Sequence, residues 1–200
     1  MIGLVRNMTT DPDRGRDFVQ ASRLRKDAWL AEAHDSPLPH DIRHGFKGLP
    51  YFDYDPDFRV PAVLAPFSSP KMIRMTTSKG VEKDYVEYGR FEFTLSGEKL
   101  SLSVFKKVTA AGEHHHQHER EALFVPFRDA TSGKVSYGAA RYIDVEEIGG
   151  TAYDLDFNLA YNPYCAYSPD YVCPFPPREN WLPVAVRAGE KDFAGGNIPG

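Results

Sequence analysis

Hydrophobic residues alternate with polar ones in short runs over the second half of the chain. The runs comprise Tyr85, Gly89, Phe91, Phe93 and Leu95; Leu100, Leu102 and Val104; Leu123, Val125 and Phe127; Tyr137, Ala139, Ile143 and Val145; Tyr153, Leu155 and Phe157; and Leu182 to Val186. A period of two is typical of strands with one buried face. Short strands separated by turns favour a barrel or a sandwich. We therefore predict a mainly β fold with minor α, an antiparallel β-barrel or barrel-like sandwich.

The beginning of the chain predicts a helix. Asp11 supplies a capping oxygen, Pro12 suits the first helical turn, and Ser36-Pro37 ends the helical pattern. We predict a single domain over residues 1–200. Its parts are an N-terminal helical arm at 11–34, an antiparallel β core at 71–191 and, within that core, a long ordered loop rich in Cys and Pro at 158–181.

The segment between the helix and the core is rich in Gly, Pro and aromatic residues. This composition predicts a loop that lies over a hydrophobic core, since a disordered linker would contain few aromatic residues. We expect the stretch from Phe46 to Phe67, together with the C-terminal loop, to cover one end of the barrel.

Composition and charge exclude several classes of function. The net charge of the 200 residues is −4 and no basic stripe is present, so nucleic acid is an improbable partner. The apolar run from Ile2 to Val5 is too short for the core of a signal peptide. Elsewhere in the sequence, we find no apolar run long enough to span a membrane. Two cysteines without an export signal indicate a reducing compartment. We therefore expect a soluble, cytoplasmic protein.

Arg141 is predicted to point into the core. It shares a strand face with Ile143, and a one-residue slip would turn every apolar side chain of that strand outward. A three-residue hairpin loop at Gly149-Gly150 would pair Ile143 with Leu155. An inward guanidinium keeps its charge and needs an acidic side chain, backbone carbonyls or an anionic ligand. An internal ion pair is one solution, and ligand recognition is the other.

Several sequence motifs resemble one family over nearly the whole chain. They are GRFEF at Gly89, VPFRDATSGKVSYGAARYID at Val125, DFN at Asp156, NPYC at Asn162, CPFPPREN at Cys173 and LPVAVRAGEK at Leu182. They are similar to the motifs of the domain-of-unknown-function family numbered 1684, which comprises bacterial and archaeal proteins of about this length. The resemblance implies no activity. It marks as motif residues Arg141, Asp156, Asn158, Asn162, Cys165, Cys173, Asn180 and Glu190.

Cys165 and Cys173 both lie in the proline-rich loop. Their spacing differs from that of zinc motifs, and no further pair of cysteines is present to complete a site. We interpret them as two packed, reduced thiols that pin the loop. A reactive thiol or a metal-binding pair is the alternative, and reactivity would require a nearby base or cation.

A run of histidines lies between Val108 and Ala122. In an extended chain His114, His116 and His118 would share one face, and half of a cupin metal motif has a similar spacing. The flanking glycines and the second histidine motif of cupins are missing. We predict an exposed hairpin loop, with a metal site at these histidines as the alternative.

The leading functional hypothesis is the binding, or the binding and turnover, of a small anionic or carbonyl-bearing molecule in the mouth of the barrel. Arg141 would be the anchor. The other candidate ligand-binding residues are Tyr142, Asp156, Asn158, Asn162, Cys165, Cys173 and Asn180. The polar members of this set could instead brace the loop backbone. The alternatives are a metal-dependent enzyme using the His114–His118 cluster and a non-catalytic protein-interaction module. Neither a cofactor nor an oligomeric state follows from the sequence.

Overall fold

The computed structural model describes residues 12–108 and 122–193. These residues form a six-stranded antiparallel sheet that curls into a nearly closed barrel, with one long helix outside. The helices are α1 (Pro12–Glu32) and α2 (His40–Arg43). The strands are β1 (Arg59–Thr76), β2 (Glu82–Leu95), β3 (Glu98–Lys107), β4 (Ala122–Phe127), β5 (Arg141–Glu146) and β6 (Ala152–Asp156). The predicted mainly β barrel with an N-terminal helix is therefore confirmed.

The strands follow the order β5-β4-β3-β2-β1-β6 around the sheet. β1 to β4 each pair with the next strand along the chain, and β6 returns to pair with β1. Beyond β5, backbone hydrogen bonds of 2.8 and 3.0 Å join Tyr142 and Tyr161. The segment after β6 therefore satisfies part of the free edge of β5, which would otherwise expose unpaired backbone groups.

Apolar side chains from all six strands and from the C-terminal segment fill the barrel interior. This inner core includes Leu64, Phe91, Phe93, Leu102, Val104, Leu123, Val125, Phe127, Ile143, Leu155, Phe157 and Val186. Because the interior is occupied by its own side chains, a ligand site in this protein is to be sought on the outer face of the sheet.

A β-bulge at Tyr88 changes which side chains of β2 face the interior. Glu87 pairs with Phe105 and Gly89 with Val104, so one extra residue stands between them. Tyr85 therefore lies on the outer face, whereas the alternation pattern had placed it with the inner residues Phe91 and Phe93. Gly89 is required here because a Cβ atom would come within 2.6 Å of a carbonyl oxygen of β1.

Three further sequence-based predictions about the sheet are wrong. The predicted covering loop up to Phe67 runs into β1, which begins at Arg59, before the predicted core boundary at residue 71. The first residues of β1 alternate between buried and exposed, but Pro61, Pro66 and Pro70 made this segment resemble a loop in the sequence. The predicted hairpin that would pair Ile143 with Leu155 does not form. β6 pairs with β1 instead, so Leu155 lies opposite Val60 and Ile143 opposite Val125.

The third correction concerns residues 182–186, which do not form a strand. They keep the predicted alternation of burial, with Leu182, Val184 and Val186 buried. Backbone contacts to Arg128 and Ala130 hold the segment against the loop after β4. The alternation of apolar residues thus predicted burial correctly, but this segment lacks the ladder of backbone hydrogen bonds that defines a strand.

Helix α1 packs against the barrel through polar contacts as well as apolar ones. Leu30 is fully buried, and the guanidinium of Arg23 donates hydrogen bonds to the carbonyls of Phe52 and Asn158. The carboxylate of Asp27 accepts hydrogen bonds from the backbone N–H of Leu49 and from the Tyr51 hydroxyl, each 3.1 Å long. These contacts place one side of α1 beside the barrel wall.

Within the described residues, neither α-helix has the length and apolar composition that a bilayer-spanning segment needs.

Candidate functional site

A cleft of about 470 Å³ lies on the outer face of the sheet, between the barrel wall and α1. Its volume falls in the range of small-molecule sites. It is lined by Lys26, Trp29, Tyr85, Lys107, Phe124, Tyr142, Asp144, Tyr161, Pro163, Tyr164, Cys173 and Pro174. Strands β2 to β5 form its floor, α1 one wall, and the segment from Tyr161 to Pro174 the other.

The register of the strands explains why these side chains meet. Tyr85 is paired with Lys107, Phe124 with Asp144, and Pro126 with Tyr142. Side chains of directly opposite residues emerge on the same face of a sheet. The outer face of the barrel therefore presents one continuous patch of aromatic and charged groups.

Aromatic rings form most of the surface of the cleft. Tyr85 and Phe124 are stacked with centroids 5.5 Å apart, and Tyr142 meets the edge of Phe124 at 4.8 Å. Trp29 of the α1 wall stacks on Tyr164 of the other wall, with ring centroids 6.0 Å apart. Such mutually packed rings give the cleft rigid, flat walls, which suit a planar ligand.

Two lysines contribute positive charge to the lining. Lys26 is committed to the protein, because its ammonium forms an ion pair with the buried carboxylate of Glu190 and lies 5.0 Å from the ring centre of Tyr161. Lys107 is exposed, and its ammonium lies 5.7 Å from the ring centre of Phe124. Lys107 has no ion-pair partner within residues 12–108 and 122–193, so its charge is available to a ligand.

The hydroxyl of Tyr85 is the second available polar group. Burial, above all, raises the pKa of Tyr85 to about 12, and the nearby Cys173 and Asp144 act in the same direction. The phenol therefore stays protonated at neutral pH and can donate a hydrogen bond. In the described part of the chain this hydroxyl has no hydrogen-bond partner, unlike that of Tyr142, which donates to the carbonyl of Pro174.

One acidic side chain lies at the edge of the cleft. The carboxylate of Asp144 accepts a hydrogen bond of 2.6 Å from the Tyr161 hydroxyl. Burial and the neighbouring carboxylate raise the pKa of Tyr161 well above its ordinary value, so it remains a donor. The Tyr161 hydroxyl thus already satisfies one oxygen of Asp144.

Arg141 points inward, as the alternation pattern indicates, and is 1% exposed. Its guanidinium donates to the Asp129 carboxylate at 3.2 Å and to the carbonyls of Val186, Ala188 and Glu190. Burial lowers its pKa, and the charge of Asp129 opposes that change. Of the partners considered from the sequence, an acidic side chain and backbone carbonyls are both present. Arg141 does not line the cleft.

Asn158 and Asp156 brace the chain after β6. The Asn158 amide bonds both the N–H and the carbonyl of Asp55, at 3.0 and 2.8 Å. Asp156 caps the short 3-10 turn by accepting from the Asn158 backbone N–H at 2.9 Å. These bonds engage the Asn158 amide and one carboxylate oxygen of Asp156, and neither residue lines the cleft.

Asn162 and Asn180 also bond to the backbone. The side chain of Asn162 donates to the carbonyl of Lys191, and its backbone N–H donates to Glu190. Asn180, fully buried, bonds the N–H and carbonyl of Ser103 and the carbonyl of Pro126. Because Pro126 lacks an N–H, the Asn180 amide fills a gap between β3 and β4.

The two cysteines are free and lie together beside the cleft. The backbone N–H of Cys165 donates to the sulfur of Cys173 at 3.3 Å, and Cys173 lines the cleft. Hydrogen bonding with the Cys173 thiol, and then with Tyr137, lowers the pKa of Cys165 to about 7. The same thiol contact and burial raise the pKa of Cys173 well above its ordinary value.

The histidine alternative remains a prediction. His114, His116 and His118 lie outside the described residues. Within the described part of the chain, no group of three or more His, Cys, Asp or Glu side chains is arranged to hold a metal ion.

Sequence reasoning selected two of the residues that line the cleft, Tyr142 and Cys173. It missed Lys26, Trp29, Tyr85, Lys107, Phe124, Asp144, Tyr161, Pro163, Tyr164 and Pro174. One signal was available: Phe124, Tyr142 and Asp144 occupy the positions between the inward residues of β4 and β5. Aromatic residues at such outward positions indicate a second, covered face.

The comparisons with known proteins identify the family. The family model described as "Protein of unknown function (DUF1684)" matches residues 44–191. The chain is 39% identical to an uncharacterized protein of Haloarcula marismortui with a solution NMR structure, at a TM-score of 0.70. That match covers 92% of this chain and 97% of the other. No protein with a curated description matches. The chain therefore belongs to the DUF1684 family.

Proposed function

We propose that this protein binds a small molecule that carries a planar ring and an anionic or carbonyl oxygen, and that it does so in the cleft outside the barrel. One observation carries the proposal. The Tyr85 hydroxyl and the Lys107 ammonium come from directly opposite positions of β2 and β3, and neither is engaged by a hydrogen bond or an ion pair within the described residues. A single oxygen-bearing group could contact both.

The ring requirement follows from the walls of the cleft. Phe124 and Tyr142 lie in the floor, and Trp29 and Tyr164 line the two walls. An aromatic ring packed between such faces gains about 0.5–1.5 kcal/mol beyond the burial of its surface. An aliphatic ligand would gain only the burial term.

The choice of an anion or carbonyl over a cation follows from the polar groups. Aromatic clefts also bind quaternary ammonium ions through the faces of their rings. Here, however, the ammonium of Lys26 lies over Tyr161 and that of Lys107 lies over Phe124. The faces of both rings are therefore already occupied by ammonium groups, and a cationic ligand would also meet the available charge of Lys107, where an oxygen would meet donors.

The proposed anchor differs from the one expected from the sequence. Arg141 is engaged by Asp129 and by three backbone carbonyls, which leaves its guanidinium little capacity to recognise a ligand. Lys107 and Tyr85 take its place in the proposal, and the expected ligand class is unchanged.

The test is a comparison of four ring compounds that differ in charge. Benzoate and phenyl phosphate are anions, benzamide is a neutral carbonyl compound, and benzyltrimethylammonium is a cation. We expect the two anions to raise the melting temperature most and benzamide less, because ligand binding to the folded state stabilises it. Preferential stabilisation by the cation, or none by any of the four, would contradict the proposal.

A pair of lysine variants makes the test specific to the cleft. Lys107→Gln should remove the preference for phenyl phosphate over benzamide. Lys99→Gln is the matched control, because Lys99 is an exposed lysine of the same strand that does not line the cleft. An equal loss in both variants would show that the effect arises from the net charge of the protein and not from the cleft.

A further inference from the structure

The two cysteines are brought together by separately anchored pieces of backbone. Cys165 lies in a 3-10 turn over Tyr164–Ala166. Cys173 is held against the end of β1, since its backbone N–H donates to the Ser78 hydroxyl and its carbonyl accepts from the Ser78 N–H. The two cysteines are therefore held near each other by the fold, and not only by their short separation in the sequence.

Their separation suits a covalent bond. The Cys173 sulfur accepts a hydrogen bond of 3.3 Å from the backbone nitrogen of Cys165. Since an N–Cα bond measures about 1.46 Å, this sulfur lies within about 4.8 Å of the Cys165 Cα. A disulfide requires the two sulfurs to approach to about 2.05 Å, and the Cys173 sulfur already lies against the backbone of Cys165, from which the Cys165 side chain extends.

The two thiols differ in their surroundings. Cys165 is partly exposed and lies 3.8 Å from the Tyr137 hydroxyl, which can donate to a thiolate. Cys173 is buried and faces the cleft. A partly exposed sulfur that can be stabilised as a thiolate reacts first with an oxidant, and a buried thiol beside it is placed to resolve the product.

We propose that Cys165 and Cys173 form a redox-active pair that a hydroperoxide converts into a disulfide. The Cys165 thiolate attacks one peroxide oxygen, the O–O bond breaks, and the alcohol or water leaves after taking a proton. Cys165 is then a sulfenic acid. The Cys173 sulfur attacks the Cys165 sulfur, the S–S bond forms, and the S–O bond breaks with release of water. The two electrons lost by the sulfurs reduce the peroxide, and a dithiol reductant reverses the change.

The direct test treats the native protein with hydrogen peroxide. The free-thiol titre should fall from two per chain to none, and the intact mass of the monomer should fall by that of two hydrogen atoms. Dithiothreitol should restore both values. Two unreacted thiols, a gain of oxygen without loss of the second thiol, or disulfides only between chains would each overturn the proposal. Because the wild-type chain is used, a folding defect cannot confuse the result.

Single variants assign the two roles. Cys173→Ser should stop at the sulfenic acid of Cys165, which dimedone traps as an adduct. Cys165→Ser is the matched control, which lacks the other thiol, and it should give no dimedone adduct under the same conditions. Tyr137→Phe keeps the ring but removes the hydroxyl beside Cys165, and should slow oxidation several-fold while the disulfide still forms. An adduct in Cys165→Ser, or an unchanged rate in Tyr137→Phe, would contradict this assignment.

Discussion

The guanidinium of Arg141 and the carboxylate of Asp129 form an ion pair that is almost completely shielded from solvent. The nitrogen–oxygen distance is 3.2 Å, and the side chains are 1% and 0% exposed. Asp129 also accepts hydrogen bonds from the backbone N–H groups of Thr131 and Val186. The pair therefore connects β5 to the loop after β4 and to the C-terminal segment.

Replacing Arg141 by methionine should destabilise the protein by on the order of 3–5 kcal/mol, because a buried charge on Asp129 would lose its partner. Urea unfolding of the wild type and the variant measures the difference. Arg90→Met, at an exposed arginine of β2, is the control and should change stability little. A loss below about 1 kcal/mol would mean that the ion pair does not hold the fold together.

The amide of Asn180 should be similarly important. Its replacement by alanine would leave three buried backbone groups of Ser103 and Pro126 without this partner. We expect a loss of at least about 3 kcal/mol, since each of these three groups costs about 1–3 kcal/mol. Hydrogen exchange at the Ser103 amide should also accelerate. Glu179→Ala, at an exposed position of the same turn, is the control, and equal effects of the two changes would contradict this role.

The reactivity of Cys165 should depend on pH near neutrality. A lowered pKa means that the thiolate forms at lower pH, so alkylation by iodoacetamide should accelerate as the pH rises through about 7. Cys173→Ala removes the largest cause of the shift and should move the midpoint upward, toward the ordinary value of a thiol. A wild-type midpoint that already lies near the ordinary value would show that the thiol contact does not stabilise the thiolate.

Local alternation predicted burial better than it predicted pairing. It placed Arg141 inside correctly, because Ile143 shares its face and a slip would have exposed the strand. It could not reveal that β6 pairs with β1, since that contact joins Val60 to Leu155 across nearly half of the chain. Nor could it identify Asp129 as the partner of Arg141, because the composition around Asp129 only suggested a turn.

The sequence did not predict the cleft for a related reason. A single extra residue at Tyr88 moves Tyr85 from the inner to the outer face, and strict counting by two misses that change. Trp29 and Lys26 reach the cleft from α1, whose docking position depends on tertiary contacts. The family motifs did select Asn158, Asn162 and Asn180. Their structural role could not be predicted, because their hydrogen bonds are to backbone groups of distant segments.

The proposed ligand contact with Tyr85 predicts a selective effect of one hydroxyl. Tyr85→Phe keeps the stacked ring against Phe124 and removes only the donor. Stability should change little, since this hydroxyl has no partner in the described part of the chain, whereas the affinity for phenyl phosphate should fall by about tenfold, the equivalent of roughly 1.4 kcal/mol. Isothermal titration calorimetry measures the affinity. An unchanged affinity would exclude Tyr85 from ligand binding.

The most direct test of the proposed function is the location of bound phenyl phosphate on the wild-type protein. Backbone amide shifts in a ¹H–¹⁵N spectrum should change most around Tyr85, Lys107, Phe124, Tyr142 and Tyr161, and those around Arg141 and Asp129 should stay nearly constant. Intermolecular contacts should join the phenyl protons to Phe124 and Tyr142. Shift changes centred on another surface, or the absence of any change at a saturating concentration, would contradict the assignment of the outer cleft as the binding site.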